Sequence, residues 1–277
     1  MKTVTLPAGE HVPALGLGTW RIGEQRGQRR DEVAALRLGL EMGWRLIDTA
    51  EMYGDGGAEE VVGEAIVGRR DEVFVVSKVY PHNASRRGTV AACERSLGRL
   101  RTDRIDLYLL HWRGTHPLSE SVEAFERLKA AGKIRHWGVS NLDAAAMREL
   151  WSVPGGTQCA ANQVYYSAST RGVEFDLAPW QRRHGVPLMA YCPIDEGRLA
   201  RDPRLAAIGT RHRASAAQVA IAWLLTRPDV IVIPKAARQA HLRENLAAAQ
   251  LALDEADLAQ IDRAFPPPQH GTPLAIV

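Results

Sequence analysis

Only three cysteines, Cys93, Cys159 and Cys192, occur in the 277 residues. They are odd in number and far apart, which excludes a disulfide scaffold and fits a reducing compartment, so a cytoplasmic protein is expected. No stretch of about 18 apolar residues exists, so no transmembrane helix is expected. The N-terminal ten residues lack the apolar core and small-residue cleavage site of a signal peptide, and none is expected. Charge of one sign is scarce too: 35 basic residues against 32 acidic ones leave a formal +3. The arginine clusters at 26–30 and 211–213 are short and not interleaved with aromatics. They read as solvated faces, and nucleic acid is not an expected partner. There is no low-complexity linker and no break in composition, so residues 1–277 are expected to form one domain. The first apolar run lacks a His-x-His pair, which disfavours a metal-dependent barrel hydrolase, and no metal is expected. Gly16-Leu-Gly-Thr-Trp20 has the wrong spacing for a dinucleotide-binding glycine turn, which disfavours an open doubly wound sheet.

What is present is an alternation. Eight β-rich runs, at 14–18, 46–50, 73–79, 105–112, 134–141, 159–166, 187–194 and 230–236, are separated by segments of helical period. One βα unit per roughly 30–35 residues is the spacing of a (β/α)₈ TIM barrel. Val73-Phe-Val-Val76 and Leu107-Tyr-Leu-Leu110 are continuously apolar, as parallel strands covered on both faces are. Val122, Phe125 and Leu128 mark a helix over 119–131 that Gly132 ends. Ser215-Ala-Ala-Gln218 is a capping box opening a helix over 216–226, and Pro228 closes it. Asp254 caps an extra C-terminal helix with an apolar face of Leu258, Ile261 and Phe265. Residues 2–6 and 12–15, around Pro7-Ala-Gly9, are expected to form a short hairpin plugging the barrel bottom.

Four polar side chains end these buried runs: Asp48, Tyr53 just beyond it, Lys78 and His111. Strand ends on the C-terminal side are where barrels place their active sites, and neighbouring strands lie about 4.8 Å apart, so the four can converge. A free phenol with a pKa of about 10 is a reluctant acid. An ammonium beside it is expected to lower that value, and a carboxylate to hold the ammonium in place. An imidazole can orient a carbonyl oxygen. The set suits a reaction in which a carbonyl becomes an alkoxide and takes up a proton.

On these residues the sequence resembles the aldo-keto reductase family. Gly43-Trp-Arg-Leu-Ile-Asp-Thr-Ala-Glu-Met-Tyr53 is similar to that family's signature. Ser77-Lys78, Leu110-His111-Trp112, Gly138-Val-Ser-Asn141, Asn162-Gln163 and Ile233-Pro-Lys235 follow in the family's order. The segment 49–60 and the tail 274–277 resemble a bacterial branch that includes reducers of small 2-oxoaldehydes. The resemblance implies NADPH-dependent reduction of aldehydes and ketones, with NADH as an alternative cofactor. It makes Tyr53 the general acid, tuned by Lys78 and Asp48, with His111 positioning the substrate carbonyl. It gives Ser140, Asn141 and Gln163 to the nicotinamide carboxamide, Tyr191 to its ring, Lys235 to the 2′-phosphate and Glu244 and Asn245 to the adenine, with Thr19 also at the cofactor. Trp20, Tyr80 and Trp112 would line the substrate pocket. Ala236 and His241 stand where the family usually has a serine or threonine and an arginine, which bears on the preference for NADPH. Cys192 reads as a small packing residue, and Asp195-Glu196 would put two acids near the cofactor entrance. The chain stops soon after Pro268, so an open pocket is expected. A small-molecule carbonyl is the expected partner, with no membrane and a monomer or weak homo-oligomer. The alternative is a catalytically weak NADPH-binding barrel that senses redox state.

Overall fold

The computed structural model describes residues 2–276. Strands β3 (Leu17–Gly18), β4 (Leu46–Asp48), β5 (Phe74–Val79), β6 (Ile105–Leu110), β7 (Ile134–Ser140), β8 (Asn162–Tyr165), β9 (Leu188–Tyr191) and β10 (Val230–Val232) pair in sequence order. Every pairing is parallel. The two ends meet: Leu15 pairs with Val232 and Gly18 with Lys235, again in parallel. Gly16 N donates to Val232 O, and Val232 N to Ala14 O, each at 2.8 Å. The sheet is therefore a closed (β/α)₈ barrel, with no unpaired edge left to cover.

Outside it lie α1 (Arg29–Glu41), α2 (Gly57–Ala65), α3 (Arg86–Leu100), α4 (Leu118–Ala130), α5 (Ala144–Ser152), α6 (Leu177–Arg183), α7 (Pro203–His212), α8 (Ala216–Thr226), α9 (Gln239–Ala247) and α10 (Glu255–Ala264). Both expected caps are present: Ser215 opens α8 and Asp254 opens α10, each through a capping box. Gly132 follows α4 with φ +70°, where a side chain would be strained. The last connection carries two helices rather than one. Helix α7 starts behind Asp202, whose carboxylate accepts from Arg204 N at 2.8 Å, with Pro203 at its first position. Among the described residues, no helix is long and apolar enough to cross a membrane.

The core has two parts, as the strand period of two requires. Val75, Tyr108, Leu110 and Val139 face the helices. Leu46, Phe74, Val76, Leu107, Leu109, Met189 and Ile231 fill the barrel. The hairpin of β1 (Thr3–Thr5) and β2 (His11–Pro13) is antiparallel, and its Val4, Leu6 and Val12 join the inner cluster. It plugs the end where the strands begin, which leaves the opposite end for chemistry.

Candidate active site

The inward rows of three adjacent strands change character at their C-terminal ends. Leu46 is followed on the same face by Asp48, Phe74 and Val76 by Lys78, and Leu107 and Leu109 by His111. In each case the apolar lower residues hold the polar last one at the top of the barrel. Asp48 and His111 are buried, and Lys78 is 0% exposed, a burial that a lysine tolerates only when its charge is paired. Its Nζ donates to Asp48 Oδ2 and to the Thr49 carbonyl, each at 2.8 Å, and to Tyr53 Oη at 3.3 Å. The Tyr53 and His111 rings are 5.8 Å apart, edge to face. The four residues therefore come together.

Burial reverses one electrostatic expectation. The Tyr53 phenol is pushed well above its ordinary pKa, first by burial and then by the Asp48 carboxylate and Cys192. Desolvation of the phenolate and the Asp48 charge outweigh the nearby ammonium, so the net shift is upward. Burial also lowers the Lys78 pKa, against Asp48, which raises it. The His111 imidazole is held well below its ordinary value by burial and by the Lys78 charge, so it is neutral. Its Nδ1 is buried without a hydrogen-bond partner.

A cleft of about 390 Å³ opens above this set. Asp48, Tyr53, His111, Ser140, Asn141, Gln163, Tyr191, Lys235, Trp20 and Trp112 all line it. Gln163 Nε2 donates to Asp48 Oδ1 at 2.7 Å, a link that spans 115 residues and that no local pattern signals. Asp48 thus holds Lys78 with one oxygen and Gln163 with the other. Ser140 Oγ donates to the Gln163 carbonyl (2.8 Å), Asn141 Nδ2 to the His111 carbonyl (3.2 Å) and Tyr191 Oη to Asn141 Oδ1 (2.9 Å). Thr19 does not line the cleft; it is buried, and its hydroxyl donates to the Asp48 carbonyl at 2.9 Å. Tyr80 does not line it either. It stands behind Trp112, ring centroids 5.2 Å apart, and beside His82 at 4.5 Å. Glu244 and Asn245 lie on α9, outside the cleft lining. Ala236 is buried, and His241 sits in the first turn of α9.

The cleft contains groups that the sequence reading did not place there, including Met52, Ile233 and Ile276. Ile276 of the C-terminal tail reaches the cleft rim. The two acids after β9 separate. Asp195 is buried and accepts from Tyr165 Oη, from Ser169 Oγ (2.9 Å) and from Arg198 Nη2 (2.7 Å), so it anchors the loop. Glu196 lines the cleft and pairs with Arg21 at 3.9 Å. Cys192 also lines it, at φ +50°, but burial pushes its thiol up to about 12, too high for a reactive thiolate. Among the described residues no group of three or more His, Cys, Asp or Glu side chains is placed to hold a metal ion.

Residues 14–265 match the model of the aldo/keto reductase family. The chain is 51% identical to the methylglyoxal reductase YeaE of Escherichia coli (strain K12), covering 100% of this chain and 99% of that protein. It is 33% identical to a glyoxal reductase of Bacillus subtilis (strain 168), covering 94% and 91%. Among solved structures, an aldo/keto reductase from Klebsiella pneumoniae in complex with NADP and acetate superposes with a TM-score of 0.97 at 51% identity, covering 100% of this chain and 99% of that one. With the barrel and the buried Asp48–Lys78–Tyr53 contact already in view, this match over nearly the whole length settles the classification: the chain belongs to the aldo/keto reductase family.

Proposed function

We propose that this protein is an NADPH-dependent reductase of small carbonyl compounds, 2-oxoaldehydes above all, with Tyr53 as the proton donor. The observation that carries the reading is the buried Lys78 ammonium, held between Asp48 and the Tyr53 hydroxyl. The residues fit the cofactor. Ser140, Asn141 and Gln163 present hydroxyl and amide groups along one wall of the cleft, where a carboxamide needs both donors and acceptors. Tyr191 supplies a ring there, and Lys235 a cation at the cleft edge. Arg238, close enough to act on the charge of Lys235, adds a second cation where Ala236 and His241 offer less than the usual serine or threonine and arginine. When bound, NADPH supplies the hydride.

The remaining work falls to the chain. A neutral His111 with its proton on Nε2 leaves no buried N–H unsatisfied at Nδ1 and has a donor for the substrate carbonyl oxygen. The raised Tyr53 pKa keeps the phenol protonated until an alkoxide, a far stronger base, forms beside it. Once the proton has moved, Lys78 Nζ, 3.3 Å from Tyr53 Oη, stabilises the phenolate left behind. About 390 Å³ shared between a nicotinamide ring and a substrate leaves room for a small carbonyl, walled by Trp20, Trp112 and Met52. The relatives named methylglyoxal and glyoxal reductase support the same substrate class.

The test is Tyr53→Phe, assayed with NADPH and methylglyoxal. Turnover is expected to fall by a factor of about 10² or more, with NADPH affinity by fluorescence titration unchanged. A Tyr53→Phe protein that keeps its turnover would show that the proton comes from elsewhere.

A further inference from the structure

Directly behind the wall that carries Lys78 lies a second charged group that the reaction just described does not use. Ser77 precedes Lys78 on β5 and faces the opposite way, toward the helices. Its hydroxyl donates to Glu59 Oε1 of α2 at 2.6 Å, and Glu59 is 0% exposed. The other oxygen of Glu59 accepts from Arg99 Nε of α3, also at 2.6 Å. Arg99 Nη2 stands 3.9 Å from Glu51 Oε2, with Arg95 adding a cation at 3.7 Å. Glu51 belongs to the loop that carries Tyr53. Its Oε1 accepts from Tyr80 N at 2.7 Å and from Asn83 Nδ2 at 3.0 Å. The contacts form a closed circuit. Glu51 ties the Tyr53 loop to the end of β5, Arg99 ties Glu51 to Glu59, and Glu59 ties back to β5 one residue before Lys78.

We infer that Glu59 and Arg99 are positioning residues for the reduction: from outside the barrel they hold the strand carrying Lys78 against the loop carrying Tyr53. The inference rests on the reading of Tyr53 and Lys78 as the proton-transfer pair. A purely structural account is weaker on physical grounds. Apolar side chains of similar volume join two helices to a strand at least as well as an ion pair whose carboxylate is fully buried and whose guanidinium is partly so, at a cost in desolvation. What apolar residues cannot do is hold a strand and a loop in one register by directed hydrogen bonds, or place a negative charge behind Lys78. That charge acts with Asp48 to favour the ammonium form. The titratable groups facing Lys78 inside the barrel are Asp48, Tyr53 and His111. Around Glu59, besides Arg99, are Glu51, Cys93 and Tyr108. Of these outer groups Arg99 alone is hydrogen-bonded to Glu59, at 2.6 Å, so the carboxylate is its direct charge partner.

The experiment compares Glu59→Gln, Arg99→Lys, Arg99→Met and Ser77→Ala by steady-state kinetics with NADPH and methylglyoxal across pH, with NADPH affinity by fluorescence and thermal unfolding. Glu59→Gln is expected to lower kcat by roughly tenfold or more through displacement of the pair, with NADPH affinity held within about twofold. Its alkaline limb in kcat should move to lower pH, because Lys78 loses one of the anions that favour its protonated form. Arg99→Met should lower kcat as well, and Arg99→Lys should restore part of the loss. Ser77→Ala cuts the tie while keeping both charges, so kcat should fall with the alkaline limb in place. A folded Glu59→Gln protein with wild-type kcat and an unmoved limb overturns the inference. If Glu59→Gln does not accumulate as folded protein, Ser77→Ala with wild-type kcat overturns it alone. An active Tyr53→Phe would instead sink the underlying reading, whereas an inactive Tyr53→Phe beside a wild-type Glu59→Gln sinks only the role given to Glu59 and Arg99.

Discussion

At His111 burial decides both chemistry and stability. The ring is 8% exposed, and its pKa lies well below the ordinary 6.5 because of burial and the Lys78 charge. In the unfolded chain the same imidazole takes up a proton as the pH drops through 6.5, while in the native state it resists. Between the lowered native pKa and 6.5 the unfolded state therefore binds more protons, and stability falls as the pH falls. One such group contributes a slope of at most about 1.4 kcal/mol per pH unit. His111→Gln should remove that contribution, so its stability should decline less steeply than that of the wild type between about pH 6.5 and pH 5. Carboxylates with lowered pKa, such as Asp195 and Asp257, start from an ordinary 3.8 and act at lower pH. Denaturant melts of both proteins across this range check the point, and parallel curves would remove His111 as the source.

At the scale of elements, what the sequence showed was what short-range physics controls. The capping box at the start of α8 was readable because its two partners are three residues apart: Gln218 N donates to Ser215 Oγ at 3.2 Å and Ser215 N to Gln218 Oε1 at 2.9 Å. Ser215→Ala should cost about 1 kcal/mol and lower Tm by roughly 2–4 °C. A thermal melt indistinguishable from wild type would mean that the packing of α8 alone fixes its start. The polar ends Asp48, Lys78 and His111 were readable for the same reason, since an apolar run closed by a polar side chain is a local pattern. The Asp48–Gln163 and Glu59–Arg99 contacts were not, because they join segments 115 and 40 residues apart that only the closed barrel brings together. The direction of the Tyr53 shift also escaped, because it depends on desolvation, which exists only once the fold does. Helix α7 was missed despite a legible start signal at Asp202-Pro203. The buried direction of Asp195 follows from a left-handed loop, φ +53°, that its residue type does not announce.

The whole molecule divides its labour between the two ends of the barrel. Polar groups at the C-terminal end converge on the cleft, and the opposite end is closed for stability. There Glu10 of the hairpin loop accepts from His136 Nε2 at 2.7 Å and from Arg135 Nη2 at 2.8 Å, and Arg135 goes on to Asp106 at 3.0 Å. Arg70 reaches Asp106 from the other side at 2.7 Å. Beneath this ionic rim the hairpin inserts Leu6, 1% exposed, into the inner cluster with Phe74, Leu107 and Ile231. Leu6→Ala should leave a cavity that the surrounding strands, locked by closure, cannot collapse around. A cost of about 2–5 kcal/mol is expected, read as a lower urea midpoint with an unchanged m-value. Lys78, Tyr53 and His111 lie at the far end of the same strands, so kcat at a temperature well below the transition should match the wild type. A large drop in kcat would mean that the plug transmits strain along the barrel to the proton-transfer groups. A cost below about 1 kcal/mol would mean that the hairpin sits on the barrel rather than in it.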